Sequence, residues 1–261
     1  MSSRPNALDA LAADPATSAL ILDFDGVLSP IVDDPTTSAM PGEVAAIVGR
    51  LAKRLGLVAV ISGRPVEFLA NRIQLDGVRL IGSYGIEEFQ DGVRRLHPEA
   101  ERWLEPVSEA AEALAEIFPE SSEIRIERKS VSVAVHWRQA GDLTAAGAAV
   151  RHATGRIAAR TGLQSEPGKF VEELRPPIEI DKGSAVRTLL TAERPVTIAY
   201  AGDDLGDIPA LRAVRSVSGY TLIVDHGSET DPQLLALADE TFAGTTGFAA
   251  WLTQLADATG A

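Results

Sequence analysis

Five short runs of small and branched aliphatic residues, at 19–24, 57–61, 79–81, 196–201 and 220–224, constrain the fold of this chain more than any other feature. Each run is too short for a helix core and ends near Gly or Asp. Runs that are apolar on both faces suit strands buried on both sides of a parallel sheet. Helix-like segments at 43–55, 65–73 and 183–190 separate several of them. Strand then helix, repeated, implies right-handed crossovers and an α/β fold with a doubly wound, mostly parallel, Rossmann-like sheet. Only 5% of the residues are aromatic, so the core must be built from Ala, Val, Leu and Ile.

Between 91 and 177 the pattern changes. A long Ala/Glu-rich segment, 101–118, leads into 122–127 and then 130–137, where Val131, Val133, Val135 and Trp137 alternate with Ser130, Ser132, Ala134 and His136. A period of two with one polar face predicts a half-exposed antiparallel strand. A second Ala-rich helix at 143–160 precedes short strands at 163–165 and 170–175, and Pro176-Pro177 marks the return to the main sheet. The expected organisation is a core of 1–92 and 178–261 with a smaller α+β insert at 93–177. The first ten or so residues are expected to be loosely held.

Charge and composition exclude several function classes. With 24 Lys and Arg against 37 Asp and Glu, the net charge of −13 repels nucleic-acid backbones and anionic bilayers. There is no cysteine, so disulfides, thiolate metal sites and Cys nucleophiles are excluded. No apolar run approaches the roughly 18 residues of a membrane span, and 1–14 is neither basic nor apolar enough for a secretory signal. The expectation is a cytoplasmic, monomeric protein without nucleic-acid or membrane partners.

Four motifs carry chemistry. In Leu22-Asp23-Phe24-Asp25-Gly26-Val27-Leu28-Ser29-Pro30, two carboxylates stand two apart at the carboxyl end of the first run, where open α/β sheets bind ligands. One carboxylate can attack phosphorus while the other moves the proton; alone, the pair could equally cap a turn. In Ile61-Ser62-Gly63-Arg64-Pro65 a hydroxyl and a helix start suit an anionic phosphoryl group, although an isolated N-cap Ser reads the same way. Lys182, at another helix start, could neutralise both Asp23 and a transferred phosphoryl. The fourth motif, Gly202-Asp203-Asp204-Leu205-Gly206-Asp207, places three acids within five residues. Such acids repel one another unless a cation joins them, and all-oxygen ligation favours Mg2+.

The order and placement of these four motifs resemble the haloacid-dehalogenase-like (HAD) superfamily. Together with Tyr84-Gly85-Ile86-Glu87 and Glu127-Arg128-Lys129 they resemble, more closely, its trehalose-6-phosphate phosphatase family. The resemblance implies that Asp23 is the nucleophile and a Mg2+ ligand, and that Asp25 is the general acid/base and a ligand through its backbone carbonyl. It implies that Ser62 and Lys182 hold the phosphoryl group, and that Asp203 ligates the metal directly with Asp204 and Asp207 adjacent. It also implies that the insert is a cap bearing Glu127, Lys129, Lys169 and Glu173 toward a sugar phosphate. Gly63, Arg64 and Arg138 are further expected substrate-binding residues. Three departures stand out, since the family commonly has Thr where this chain has Val27 and Gly206, and Glu where it has Ile208.

The implied reaction is Mg2+-dependent hydrolysis of trehalose 6-phosphate through an aspartyl-phosphate. Phosphorus chemistry is common to all esters, so the choice of alcohol falls to polar groups of the insert, His136 among them, that sugar hydroxyls pair with or leave unpaired. In the alternative, Glu127, Lys129 and Arg138 make ordinary cross-strand pairs. Other open readings are a phosphatase for a glucosylglycerol, sucrose or pseudo-disaccharide phosphate, a phosphomutase, and a non-catalytic sugar-phosphate-binding relative.

Overall fold

The computed structural model describes residues 4–261. They fall into two compact units: residues up to Arg95 together with Ile180–Ala261, and Leu96–Glu179. In chain order the strands are β1 (Ser18–Leu22), β2 (Leu57–Ile61), β3 (Val78–Gly82), β4 (Glu87–Gln90), β5 (Val93–Leu96), β6 (Arg125–Arg128), β7 (Val133–His136), β8 (Gln164–Gly168), β9 (Val171–Arg175), β10 (Thr197–Gly202), β11 (Tyr220–Asp225) and β12 (Glu240–Ala243).

The first unit holds one eight-stranded sheet in the order β12-β11-β10-β1-β2-β3-β4-β5. From β12 to β3 all neighbours are parallel, and β4 turns back antiparallel to β3. The five apolar runs are its central strands, and every residue of β1 and β2 is buried. Alternation along them explains the two covering layers. Leu20, Leu22, Val58 and Val60 join a core with Leu11, Val48, Leu69 and Leu252, from helices Ala7–Ala13, Gly42–Leu51, Val66–Arg72 and Gly244–Ala258. Ala19, Ile21, Ala59 and Ile61 face the opposite way, against Val186, Leu189, Leu211 and Val214 of helices Lys182–Glu193 and Ile208–Ser216. Each fully buried aliphatic side chain contributes about 1.5–3 kcal/mol by its removal from water.

Two expectations are corrected in this unit. The main sheet extends past the expected boundary at 92, because β5 lies at its far edge. Residues 1–3 of the segment expected to be loose lie outside the described residues, but the rest is held. Asn6 caps helix Ala7–Ala13 by accepting from the Asp9 amide, Ala7 and Leu11 are fully buried, and the Arg4 guanidinium sits 3.7 Å over the Tyr220 ring. The i, i+4 spacing of Ala7 and Leu11 supplies the apolar stripe that anchors this short helix.

The second unit is a four-stranded antiparallel sheet, β6-β7-β9-β8, with helices Leu104–Ile117 and Leu143–Thr161. Asp142 caps the second helix through its carboxylate, and Gly162, at φ 77°, ends it in the left-handed conformation that glycine adopts freely. The apolar face of the sheet, Val133, Val135 and Leu174 with neighbouring Trp137, packs on Val107, Leu114, Val150 and Ile157 from the two helices. The other face is less exposed than its polar alternation predicts, since Ser132 and Ala134 are buried as well. Ala134 lies in register between Glu127 on β6 and Glu173 on β9, and the Ser132 hydroxyl donates to Glu173 Oε1 at 2.5 Å. Among the described residues no helix is long and apolar enough to cross a membrane.

The Glu173 carboxylate also receives Lys129 Nζ at 2.9 Å. Burial works to raise its pKa, but Lys129 and Ser132 outweigh that and hold it below the ordinary value. A depressed carboxylate stabilises the fold above its unfolded pKa and loses that contribution as pH falls through its folded pKa. Glu173→Gln is therefore expected to cost about 0.5–1 kcal/mol in urea unfolding at pH 7. The difference from the parent protein should close as pH falls toward about 3; a difference unchanged between these pH values would show that the ion pair is not its source.

Candidate active site

The parallel strands present their carboxyl ends on one edge of the first unit, and the four motifs meet there. Asp23, Asp25, Ser62, Gly63, Arg64, Lys182, Asp203 and Asp204 line one cavity of about 410 Å3, together with Ile31 and Tyr84. Asp23 extends β1 by one ladder step, its amide donating to the Ala201 carbonyl at 2.9 Å. Its Oδ1 accepts from the Phe24 amide at 2.7 Å. Gly26, at φ 73°, then turns the chain, and a Cβ there would overlap the Asp203 carboxylate. The first motif can approach the fourth this closely only because that position has no side chain.

Lys182 is the centre of the site. It opens helix Lys182–Glu193, whose start is fixed by Asp181 accepting from the Ser184 amide at 2.7 Å. Its ammonium is 3% exposed and lies 2.9 Å from Asp23 Oδ2 and 2.7 Å from Asp207 Oδ1. Burial opposes its charge, but Asp23 and Asp207 outweigh burial and raise its pKa. Asp207 is fully buried and its acceptor capacity is used up. Oδ1 also accepts from the Tyr200 hydroxyl at 2.6 Å, and Oδ2 accepts the amides of Asp203 at 2.9 Å and Asp204 at 3.2 Å. Asp207 thus anchors both the lysine and the fourth-motif loop.

The site is short of positive charge. Burial, then the Asp207 charge, push the Asp23 carboxyl well above its ordinary value, with Lys182 compensating only in part. Burial with Asp207 and Asp204 raises Asp203 to about 8, and burial with Asp207 raises Asp204. Carboxylate oxygens of Asp23, Asp203 and Asp207 lie within 4.8 Å of one another. An all-oxygen donor set with uncompensated negative charge fits a hard divalent cation. With Asp207 already saturated by hydrogen bonds, Asp23 and Asp203 are the carboxylates of that cluster with capacity to spare. Asp204 lines the cavity but is exposed and stands outside this tight cluster.

Asp25 has the opposite character. Burial works against ionisation, but the hydrogen bonds from Arg64 and Ser38, with the Arg64 charge, outweigh it and hold the carboxyl below its ordinary value. Arg64 Nε donates to Oδ2 at 2.8 Å, Arg64 Nη2 donates to Oδ1 at 3.0 Å, and the Ser38 hydroxyl donates to Oδ1 at 2.7 Å. Arg64, expected at the substrate, is thus engaged with the neighbouring acid. Ser62, 2% exposed, directly follows β2 and accepts the Arg64 amide at 3.1 Å.

The remaining expected residues lie in the second unit. Glu127 Oε2 meets His136 Nε2 at 2.8 Å, and Lys129 meets Glu173, so pairs of the ordinary kind are formed. The Arg138 guanidinium is 5.9 Å from the Phe170 ring centroid, and Lys169 is exposed in the turn between β8 and β9.

Sequence reasoning missed His226 and Ser38. His226 Nε2 lies 2.9 Å from the Gly26 carbonyl and 3.5 Å from Asp203 Oδ2, tying the first motif to the fourth. Its position just beyond β11, on the same edge, was the available signal. Ser38 sits in a loop with no pattern to mark it.

A family model described as trehalose-phosphatase matches residues 21–234. The chain is 33% identical over 248 residues to a trehalose-phosphate phosphatase of Mycobacterium marinum, covering 91% of this chain and 62% of that protein. It is 36% identical over 223 residues to an uncharacterized glycosyl hydrolase of Mycobacterium tuberculosis, covering 82% of this chain and 16% of that protein. The chain therefore spans less than two thirds of the length of these relatives. Among solved structures, a trehalose-6-phosphate phosphatase related protein superposes with a TM-score of 0.70 at 25% identity, over 92% of this chain and 97% of that one. The sheet order and these matches together establish a HAD-type α/β fold, and the chain belongs to the trehalose-phosphatase family.

Proposed function

We propose that this chain is a Mg2+-dependent phosphatase that hydrolyses trehalose 6-phosphate to trehalose and phosphate through an aspartyl-phosphate on Asp23. The observation that supports it most is the pairing of one buried, lysine-held carboxylate, Asp23, with a second, differently tuned carboxylate, Asp25, in one cavity. Two acids set apart by environment can divide nucleophilic and proton-transfer work.

In the first step an Asp23 carboxylate oxygen attacks phosphorus, and the bond from phosphorus to the sugar oxygen breaks. Asp25, which takes up a proton from solvent once its bond to Arg64 loosens, gives that proton to the departing oxygen. Asp25 then takes a proton from water as the water oxygen attacks phosphorus, which frees Asp23 and releases inorganic phosphate. Lys182, Ser62 and the Gly63 amide hold the phosphoryl oxygens. For Asp25 to act as an acid its bond to Arg64 must loosen, and a bound phosphoryl group offers the guanidinium a replacement partner. Asp23, the Asp25 backbone carbonyl and Asp203, with Asp204 alongside, would hold Mg2+, which when bound would supply the positive charge that the cluster lacks.

Recognition of the alcohol is assigned to Glu127, Lys129, Arg138, Lys169 and Glu173 of the insert. The substrate is a small sugar phosphate, and we place the activity in a monomeric chain in the cytoplasm. A different disaccharide phosphate is the second reading, favoured by Gly206 and Ile208 in the fourth motif, where polar residues would otherwise orient the metal-binding acids.

Asp23→Asn and Asp25→Asn are each expected to fold and to lose at least about 100-fold in turnover. A normal rate of phosphate release in either would refute that residue's role. Saturating Mg2+ should raise the thermal unfolding midpoint by about 5–10 °C, from about 2–3 kcal/mol of linkage at 100 Kd. EDTA should remove both this stabilisation and the activity, and Asp203→Asn should not show the shift. An unchanged midpoint in the parent protein, with activity surviving EDTA, would contradict the metal assignment. A panel of sugar phosphates scored by released phosphate separates the two substrate readings, and a mutase would release little.

A further inference from the structure

We propose that Tyr84 determines specificity, its ring forming the wall on which the departing sugar stacks; this rests on the phosphatase reading above. The chain has three tyrosines, and Tyr200 and Tyr220 are buried at 0% and 7% exposure. Tyr84 is 40% exposed and lines the same cavity as Asp23 and Lys182.

The backbone holds it there against its own preference. Ser83 and Tyr84 both have positive φ, 50° and 60°, in the left-handed region that residues with a Cβ seldom occupy, and here two occur in succession. Such a conformation persists only where its surroundings impose it. The Ser83 amide donates to the Arg64 carbonyl at 2.8 Å, and the Tyr84 amide donates to the Ser62 carbonyl at 3.0 Å. The Ser83 hydroxyl donates at 2.6 Å to Glu87, which is itself buried. The turn is thus locked to the loop expected to hold the phosphoryl group. Gly63 completes the fit, since a Cβ there would stand 2.6 Å from Tyr84 Cζ. The second motif leaves room for this ring.

Charge distribution within the cavity indicates what the ring serves. Its other walls are carboxylates, a lysine, an arginine and a serine, and among the described residues the only carbon-rich side chains lining it are Tyr84 and Ile31. A phosphoryl group is bound by the polar walls and gains nothing from the face of an aromatic ring. A pyranose, in contrast, has a polar rim and an apolar C–H face, which a flat aromatic surface complements at low entropic cost.

The test compares the parent enzyme with Tyr84→Phe, Tyr84→Asn and Tyr84→Leu, all with Mg2+ bound, for KM and kcat on trehalose 6-phosphate and for the inhibition constant of inorganic phosphate. Asn tolerates left-handed backbone well, so Tyr84→Asn retains the turn even where Tyr84→Leu fails to fold. Phe should keep KM within about twofold, while Asn and Leu should raise it about five- to tenfold with inhibition by phosphate changed less than about twofold. A parental KM in the Asn variant would overturn the proposal. So would a Phe variant as impaired as the Asn variant, or a rise in the phosphate constant equal to the rise in KM, which would mark a purely structural role. If the parent enzyme spares trehalose 6-phosphate but hydrolyses another sugar phosphate, the substrate reading fails and the same comparison on that ester decides the role of Tyr84.

Discussion

A single buried ammonium organises this site. Lys182, 3% exposed, is shared between Asp23 and Asp207, and its removal would leave two carboxylates without a cation in a poorly solvated place. The three residues come from three separate elements: the end of β1, the loop after β10 and the start of helix Lys182–Glu193. Their electrostatic bond therefore positions the sheet edge and the helix relative to each other. It also leaves the cluster short of one more cation, as the raised carboxyls of Asp23 and Asp203 show.

Asp23 and Asp25 are two residues apart yet differ in protonation preference because their neighbours differ. Asp23 is enclosed by acids and one lysine, and Asp25 is met by a guanidinium and a hydroxyl. The sheet creates this difference by ending at Asp23 and letting Gly26 turn the loop, so that Asp25 reaches Arg64 and Ser38 while Asp23 stays with Lys182. His226 closes the same arrangement from the other side, between the Gly26 carbonyl and the Asp203 carboxylate.

The central strands were legible because burial on both faces demands unbroken apolar runs, as in Leu57–Ile61. The edge strands were not. Glu87–Gln90 and Val93–Leu96 form an antiparallel continuation written largely in Glu, Gln and Arg, and Glu240–Ala243 is short and half-polar. Three of the four motifs were readable because each follows a strand that was readable, and Lys182 because it opens a helix as the chain returns to the main sheet, which put their residues on one edge before any distance was known. What sequence could not convey was how the carboxylates divide their tasks. Asp207 looked like an accessory acid, and its role as the saturated anchor of Lys182 depends on hydrogen bonds from Tyr200 and two backbone amides. Ser132 and Ala134 show the same limit in the insert, where a polar alternation is covered by cross-strand neighbours.

The central claim is that a covalent bond forms transiently at the Asp23 carboxylate, and a phosphoryl mimic tests it most directly. A crystal structure of the Mg2+-loaded protein with beryllium trifluoride should show continuous density from an Asp23 oxygen to beryllium, beside Lys182 Nζ. Beryllium bound to another side chain, or lying in the cavity with no link to Asp23, would contradict the account.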